Sequence, residues 1–363
     1  MYNYWNSRTR GLSPYVPGEQ PGDKKYIKLN TNENPYPPSP KVIEAIRNAA
    51  GERLRLYPDP TCQELREAIA QTYRVKPEQV FTGNGSDEVL AFVFAGFFGP
   101  DPAYPLLFPD ITYSFYPVYG NLWNIPFRAV PVTEDFSINP KDYQTSSGGI
   151  IFPNPNAPTG KALPFQAIQE ILICQEKQGR IVVIDEAYAA FGGESAVPHI
   201  MEHPNLLTIH TLSKSASLAG LRVGFAIGNE ALIEGLCRIR DSFNSYTLDR
   251  LALAGAVAAV LDVSYYREIN RKVIVTRERV TKALTQDLDF DVLPSEANFI
   301  FIRSSRQRGA ELFAALREQG ILVRHFNKPR TADFLRVSIG TDEEMDIFLN
   351  VLGKGAMKLT LKS

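Results

Sequence analysis

Cysteine is scarce in this chain. Cys62, Cys174 and Cys237 are the only three in 363 residues, and no C-x-x-C pair occurs. An odd, widely spaced set excludes a disulfide framework and a cysteine zinc knuckle, and it suits a reducing compartment. An excess of one charge is missing too: 39 Lys and Arg face 40 Asp and Glu, for a net charge of -1. That balance leaves no electrostatic footprint for nucleic acid or an anionic membrane. The start, "MYNYWNSRTRGLSPYVPGEQPGD", lacks the apolar core of a secretory signal. Nowhere is there a run of about 18 apolar residues of the kind that spans a bilayer. The expected location is therefore the cytoplasm and the expected partners are small molecules, with no nucleic acid and no membrane. The four histidines, His199, His203, His210 and His325, show no ligand spacing and no companion carboxylate cluster. No metal is expected, and each histidine reads as a surface or loop residue.

What is present is a globular composition, 44% hydrophobic and 22% charged, in a chain long enough for two domains. The first forty residues are rich in Pro, Gly, Asn and Tyr and end in "NENPYPPSP", which predicts an extended arm rather than one regular helix. Helical patterns follow in "KVIEAIRNAA" and "TCQELREAIAQTY", where Thr61 and Glu64 have capping-box spacing, and in "GSDEVLAFVFAGFFG". Short apolar runs then alternate with helical ones: "GIIFPNP", "FQAIQEILICQEKQ", "RIVVIDEAY", "NLLTIHTLSK" and "RVGFAIGN". This is the βαβ rhythm of a mostly parallel sheet covered by helices, in which ligands collect at the carboxyl ends of the strands. A long helical region, about 249–287 and broken only at "LDVSYY", leads to a smaller α+β part with strands predicted at 299–303, 321–324 and 335–339. The expected division is 1–40 as an arm associated with the small domain, 41–262 as the large domain and 263–363 as the small C-terminal domain.

Several polar residues fall just beyond those apolar runs. Asp185 follows "IVVI" and suits a helix cap, a metal ligand or the partner of a buried cation; taken alone, capping is the plainest reading. "GNGSDE", residues 83–88, opens an apolar helix. Its glycines and helix N-terminus suit a phosphate, and Ser86 or Asp87 equally suits an N-cap. "PNPNAPTG", residues 153–160, is either a rigid turn or an asparagine-bearing edge. Lys214 in "TLSKSASLAGLRVG" reads alone as a solvated lysine at a strand end, yet desolvation among small and apolar residues would favour a neutral, nucleophilic amine. Arg222 reads alone as a surface charge.

In order along the chain, "GNGSDE", "DITYSFY", "NPNAPTG", "DEAY" and "SKSASLAGLR" resemble the fold type I pyridoxal-phosphate aminotransferases. Within them the chain is similar to the histidinol-phosphate aminotransferases, from "YVPGEQP" and "LNTNENPYP" to "LRVSIGT". The resemblance implies an α/β fold with a large, mostly parallel sheet domain, a smaller α+β domain and an N-terminal arm. It implies pyridoxal 5'-phosphate as cofactor, with catalytic residues Lys214 on the cofactor aldehyde, Asp185 on the pyridine nitrogen and Tyr188 on the ring O3′. It further implies Tyr113 stacked on the ring, and Gly85, Ser86, Asp87, Ser213 and Arg222 on the phosphate. Tyr57 would reach the neighbouring subunit's cofactor in a homodimer with shared active sites. Relatives carry an asparagine where Ala157 stands, so Asn156 is the expected substitute. Arg324, Arg336 and Tyr15 would bind substrate phosphate, with Asn32 or Glu33 as candidates to read the imidazole ring. The implied reaction exchanges the amino group of L-histidinol phosphate with 2-oxoglutarate, giving imidazole-acetol phosphate and L-glutamate. An aromatic amino-acid aminotransferase and a threonine-phosphate decarboxylase of the same fold are the alternatives. A non-enzymatic ligand-binding regulator is disfavoured, because no basic helix-turn-helix pattern appears.

Overall fold

A computed structural model describes residues 4–360, with side chains through 354. In chain order its strands are β1 (Ile27–Lys28), β2 (Val80–Asn84), β3 (Leu106–Pro109), β4 (Phe127–Val130), β5 (Ile150–Pro153), β6 (Val182–Asp185), β7 (Leu206–Thr211), β8 (Val223–Gly228), β9 (Phe290–Val292), β10 (Phe299–Ser304), β11 (Ile321–Leu322), β12 (Arg324–His325) and β13 (Phe334–Ser338). Seven of them form one sheet in the order β2-β8-β7-β6-β5-β3-β4. All its pairings are parallel except those of β8, which runs against β2 and β7. This is the helix-covered α/β architecture that the alternating pattern predicts. Every residue of β5, β6, β7 and β8 is buried, because helices cover both faces and an apolar run replaces alternation. Ile151, Val183, Leu207 and Ile209 pack with the helix Gly85–Phe97. Ile150, Phe152, Val182 and Ile184 turn to the other face, beside Ile168 and Leu172.

The pairing brings the sequence motifs to one edge of the sheet. Pro153 is level with Asp185 and Asp185 with Ile209, so the carboxyl ends of β5, β6 and β7 lie together. Because β8 is antiparallel, its start meets that edge, with Gly224 opposite Thr211 and Val223 opposite Asn84. Arg222, just before β8, and the helix that opens at Gly85 thus arrive beside Lys214, just after β7.

The C-terminal part holds a second, antiparallel sheet, β12-β13-β10-β9. The N-terminal arm joins this part through β1, which pairs in parallel with β11. Ser338 N also donates to Leu29 O at 2.9 Å. Among the described residues, no helix is long and apolar enough to cross a membrane.

Several local expectations are corrected. Thr61 and Glu64 form no capping box: the helix Gln63–Tyr73 starts at Cys62, in a left-handed conformation, and Asp59 accepts from Thr61 N and Gln63 N instead. Neither Ser86 nor Asp87 caps its helix, which already begins at Gly85 after Asn84. The break expected at "LDVSYY", by contrast, is present: the stretch at 249–287 is two helices, Arg250–Leu261 and Val263–Gln286, separated at Asp262, whose carboxylate is held by Ser39 and by Lys41 at 2.9 Å. The strand predicted at 321–324 splits, because β11 pairs with the arm while β12 pairs with β13. His203 and His210 are buried rather than at the surface.

Candidate active site

A cavity of about 240 Å³ opens at the motif-bearing edge, lined by Tyr15, Ser86, Asp87, Tyr113, Asp185, Tyr188, Ser213, Lys214, Arg222, Arg324 and Arg336 among others. A larger cleft of about 660 Å³ surrounds Tyr57 and Arg250 but, among the described residues, has no lysine in its walls. The chemistry therefore belongs to the smaller cavity.

Lys214 lies on the single helical turn Leu212–Ser215, whose start is fixed by Thr211 accepting from Ser213 N. Its Nζ donates to Thr31 O at 2.8 Å, and Asn34 donates to its carbonyl at 3.1 Å. Burial, assisted by the nearby Arg336, lowers the ammonium from its ordinary value to about 8. The amine is thus both enclosed and readily neutralised, whereas taken alone the sequence suggested a solvated lysine.

Asp185 ends β6, where its carboxylate accepts from Ala187 N and Tyr116 OH, each at 3.2 Å. Burial raises its pKa to about 6, against the opposing effect of those two donors. Among the described residues, no cation forms a salt bridge with it. Tyr188, three residues on, accepts from Asn32 Nδ2 at 3.0 Å, and burial pushes its phenol upward.

The opposite wall is a cradle for an anion. Gly85 has φ +77, and a Cβ there would lie 2.5 Å from Arg222 Nη2. A Cβ on Gly224 would lie 2.3 Å from Ser86 N. Glycine at both places lets β8 and the guanidinium close on the helix start, where backbone N–H groups attract negative charge. Arg222 reaches Ser213 Oγ at 3.4 Å and pairs with Asp87 at 2.9 Å. Asp87 also accepts from Tyr113 OH at 2.8 Å. Its carboxylate therefore orients the arginine and the tyrosine, and only its backbone N–H suits an anion.

Two arginines form a further wall. Arg336 is enclosed, donating from Nη2 to Asn30 O at 2.9 Å while its buried Nε has no partner. Arg324 donates to Pro17 O at 3.2 Å and Val16 O at 3.1 Å, which fixes the arm across the cavity. Tyr15, on that arm, stacks on Phe115 with centroids 4.2 Å apart.

Four of the residues singled out from sequence do not line this cavity: Gly85, which lies behind Arg222 at the helix start, Asn156, Tyr57 and Glu33. Asn156 spends its amide on Ile111 O at 2.9 Å and Thr159, and accepts from Thr112; Ala157 lines the wall in its place. Tyr57 is 78% exposed and stacks on Tyr246. Of the two ring-reading candidates, Asn32 lines the cavity but bonds Tyr188, while Glu33 accepts from Lys28 and Thr31, both at 2.6 Å. Residue-level reading missed Tyr116, Phe115 and Thr31. The first two stand in the quoted "DITYSFY", so that string carried their signal; Thr31 acts through its carbonyl and left none.

Residues 24–352 match the family described as aminotransferase class I and II. The chain is 55% identical over 344 residues to histidinol-phosphate aminotransferase 1 of Hydrogenovibrio crunogenus, covering 95% of each chain. It is 53% identical over 352 residues to the histidinol-phosphate aminotransferase of Clostridium beijerinckii, covering 97% of each. In fold it matches the crystal structure of histidinol-phosphate aminotransferase from Sinorhizobium meliloti in complex with pyridoxal-5'-phosphate, with a TM-score of 0.85, 24% identity and 99% of each chain covered.

Proposed function

The chain belongs to the class I and II aminotransferases and, within them, to the histidinol-phosphate aminotransferases; from that premise we propose that it exchanges the amino group of L-histidinol phosphate with 2-oxoglutarate, using pyridoxal 5'-phosphate. The observation that carries this reading is the convergence of a buried lysine, a buried carboxylate without a cation and two arginines on one cavity.

The residues fit the cofactor. Asp185 is a buried carboxylate lacking a cation, as a protonated ring nitrogen requires, and the Gly85–Ser86 turn with Ser213 and Arg222 forms the phosphate cradle. When bound, pyridoxal phosphate supplies an aldehyde that an amine can join and a ring that withdraws electrons from the substrate Cα. Lys214 Nζ would hold that aldehyde carbon in the resting enzyme and, once the substrate amine has displaced it, would carry the proton lost from Cα to the former aldehyde carbon. Asp185 would hold the proton on the ring nitrogen, and Tyr116 and Ala187 N keep its carboxylate oriented. Tyr188, steadied by Asn32, would bond the ring oxygen, and Tyr113 would cover the ring face. Arg324, Arg336 and Tyr15 clamp the dianionic phosphate of the substrate, where two guanidinium groups exceed what a single carboxylate needs.

Tyr57, Leu54 and Leu56 are exposed and do not line Lys214's cavity. They suit contact with a second copy, making a homodimer in which Tyr57 reaches the other chain's cofactor phosphate. The reading places the enzyme in the cytoplasm. Amino-donor assays with histidinol phosphate, phenylalanine, tyrosine and threonine phosphate test it. Histidinol phosphate is expected to be the preferred donor, with ping-pong kinetics, and equal rates with phenylalanine would overturn the substrate assignment.

A further inference from the structure

Behind the cavity wall lies a second, separate chamber of about 190 Å³, lined among others by Tyr73, Glu186, Ser195, His210 and Ser215. Thr211 lines both spaces, and the Lys214 turn gives Lys214 to one and Ser215 to the other. Asp185 and Glu186 are chain neighbours at the end of β6, and they divide in the same way. Asp185 lines the proposed cofactor cavity and Glu186 lines the chamber, as side chains of consecutive extended residues must.

Glu186 is only 4% exposed. A carboxyl group at that depth is costly unless it does something specific. Its Oε2 accepts from Ser195 Oγ and its Oε1 from Ala196 N, both at 2.6 Å, across ten residues of chain. That segment contains Tyr188 and departs directly from Asp185. The remaining neighbours are His210, whose Nε2 lies 3.9 Å from Oε2, and Tyr73. His210 sits against the rings of Tyr73 and Phe225, and burial lowers it to about 3, so it remains neutral near neutral pH. The titratable groups facing Glu186 are therefore His210 from β7, Tyr73 from the helix Gln63–Tyr73 and Asp185 just before it at the end of β6; among the described residues no Lys or Arg lines the chamber.

We propose that Glu186 is a positioning residue: its carboxyl clasps Ser195 and Ala196, closing the 186–196 segment so that Asp185 and Tyr188 are held towards the cofactor cavity. The inference rests on the reading of Asp185 as the partner of the cofactor's ring nitrogen. The clasp also makes the site sensitive to charge from behind. Burial, with the Asp185 charge adding to it, raises Glu186 to about 7. Below that pH the chamber side is neutral. Above it, a second negative charge stands behind Asp185 and favours the proton that Asp185 holds.

The test uses the cofactor-loaded full chain and two variants, Glu186→Gln and Glu186→Ala. Amide hydrogen exchange across 186–196 reads the clasp. Visible absorption of the lysine-bound cofactor between pH 5 and 9 reads the charge. Glu186→Ala is expected to speed exchange at Ala196 by at least about tenfold. Glu186→Gln, which keeps an acceptor and a matching shape, is expected to restore protection while removing the absorption change near pH 7. The proposal is overturned if Glu186→Ala leaves exchange unchanged, if Glu186→Gln exchanges as fast as Glu186→Ala, or if the wild-type absorption change persists in Glu186→Gln. Should Glu186→Ala fail to fold, Ser195→Ala loosens one arm of the same clasp, and unchanged exchange there counts against the proposal equally. A wild-type chain that binds no cofactor refutes the proposed function, while the exchange measurement on that chain still tests the clasp.

Discussion

At Lys214, burial and the positive charge of Arg336 act in the same direction, lowering the amine to about 8 from an ordinary 10.5. Between those values the unfolded chain holds a proton that the folded chain has released, so stability of the cofactor-free protein rises with pH across that window. Labelling of Lys214 in the cofactor-free chain by an amine-selective reagent should therefore rise with a midpoint near 8. A midpoint near 10.5 would show that the amine is solvated. Most of the residues that meet in the cavity could be picked from sequence, because a parallel sheet collects strand-following residues at one edge. Lys214 and Asp185 fall at that edge, but read alone they suited a solvated lysine and a helix cap, and the family resemblance is what assigned them and Ser86 to the site. The bonds from Asn32 to Tyr188 and from Tyr116 to Asp185 could not be, since they depend on how the arm and the 116–123 helix pack. Asn156 illustrates the limit: the right side-chain type stood in the right loop, but its amide is consumed in holding that loop together.

Among elements, the helix Gln63–Tyr73 shows how a local signal misleads. Thr61 and Glu64 have capping-box spacing, yet Asp59 supplies the cap, accepting from Thr61 N at 2.9 Å and Gln63 N at 2.8 Å. The donors lower its pKa against a smaller-than-usual solvation, so this stabilisation is present above the ordinary carboxylate range and is lost as pH falls through the lowered value. Asp59→Ala should cost about 1 kcal/mol in denaturant unfolding at neutral pH. Glu64→Ala, which removes the other half of the supposed box, should stay within about 0.5 kcal/mol. The strands of the large sheet were readable because burial on both faces makes each one a continuous apolar run. The division of 321–324 between two sheets was not, because nothing local distinguishes a residue that pairs with the arm from one that pairs with β13.

In the molecule as a whole, the two sheets are tied near the site by contacts that sequence does not announce. Arg277 donates to Phe191 O and Ala297 O, at 2.9 and 2.8 Å, and Arg330 reaches Val132 O at 2.9 Å. These link the segment after Tyr188, the C-terminal sheet and the loop after β4, so the arginine wall is held against the lysine wall. If the proposed homodimer shares its sites through Tyr57, a mixture of Lys214→Ala and Tyr57→Ala chains should regain activity. Each mixed pair then contains one site with both residues intact. Activity no greater than that of Tyr57→Ala alone would show that the sites are self-contained. The central claim, that Lys214 carries the cofactor for amino transfer from histidinol phosphate, is tested most directly by a spectrophotometric titration of the loaded protein with that compound. The account predicts a yellow, borohydride-sensitive band that saturating histidinol phosphate bleaches, that 2-oxoglutarate restores, and that Lys214→Ala does not form. A band unchanged by histidinol phosphate, or one that persists as a borohydride-fixed lysine adduct in Lys214→Ala, would contradict it.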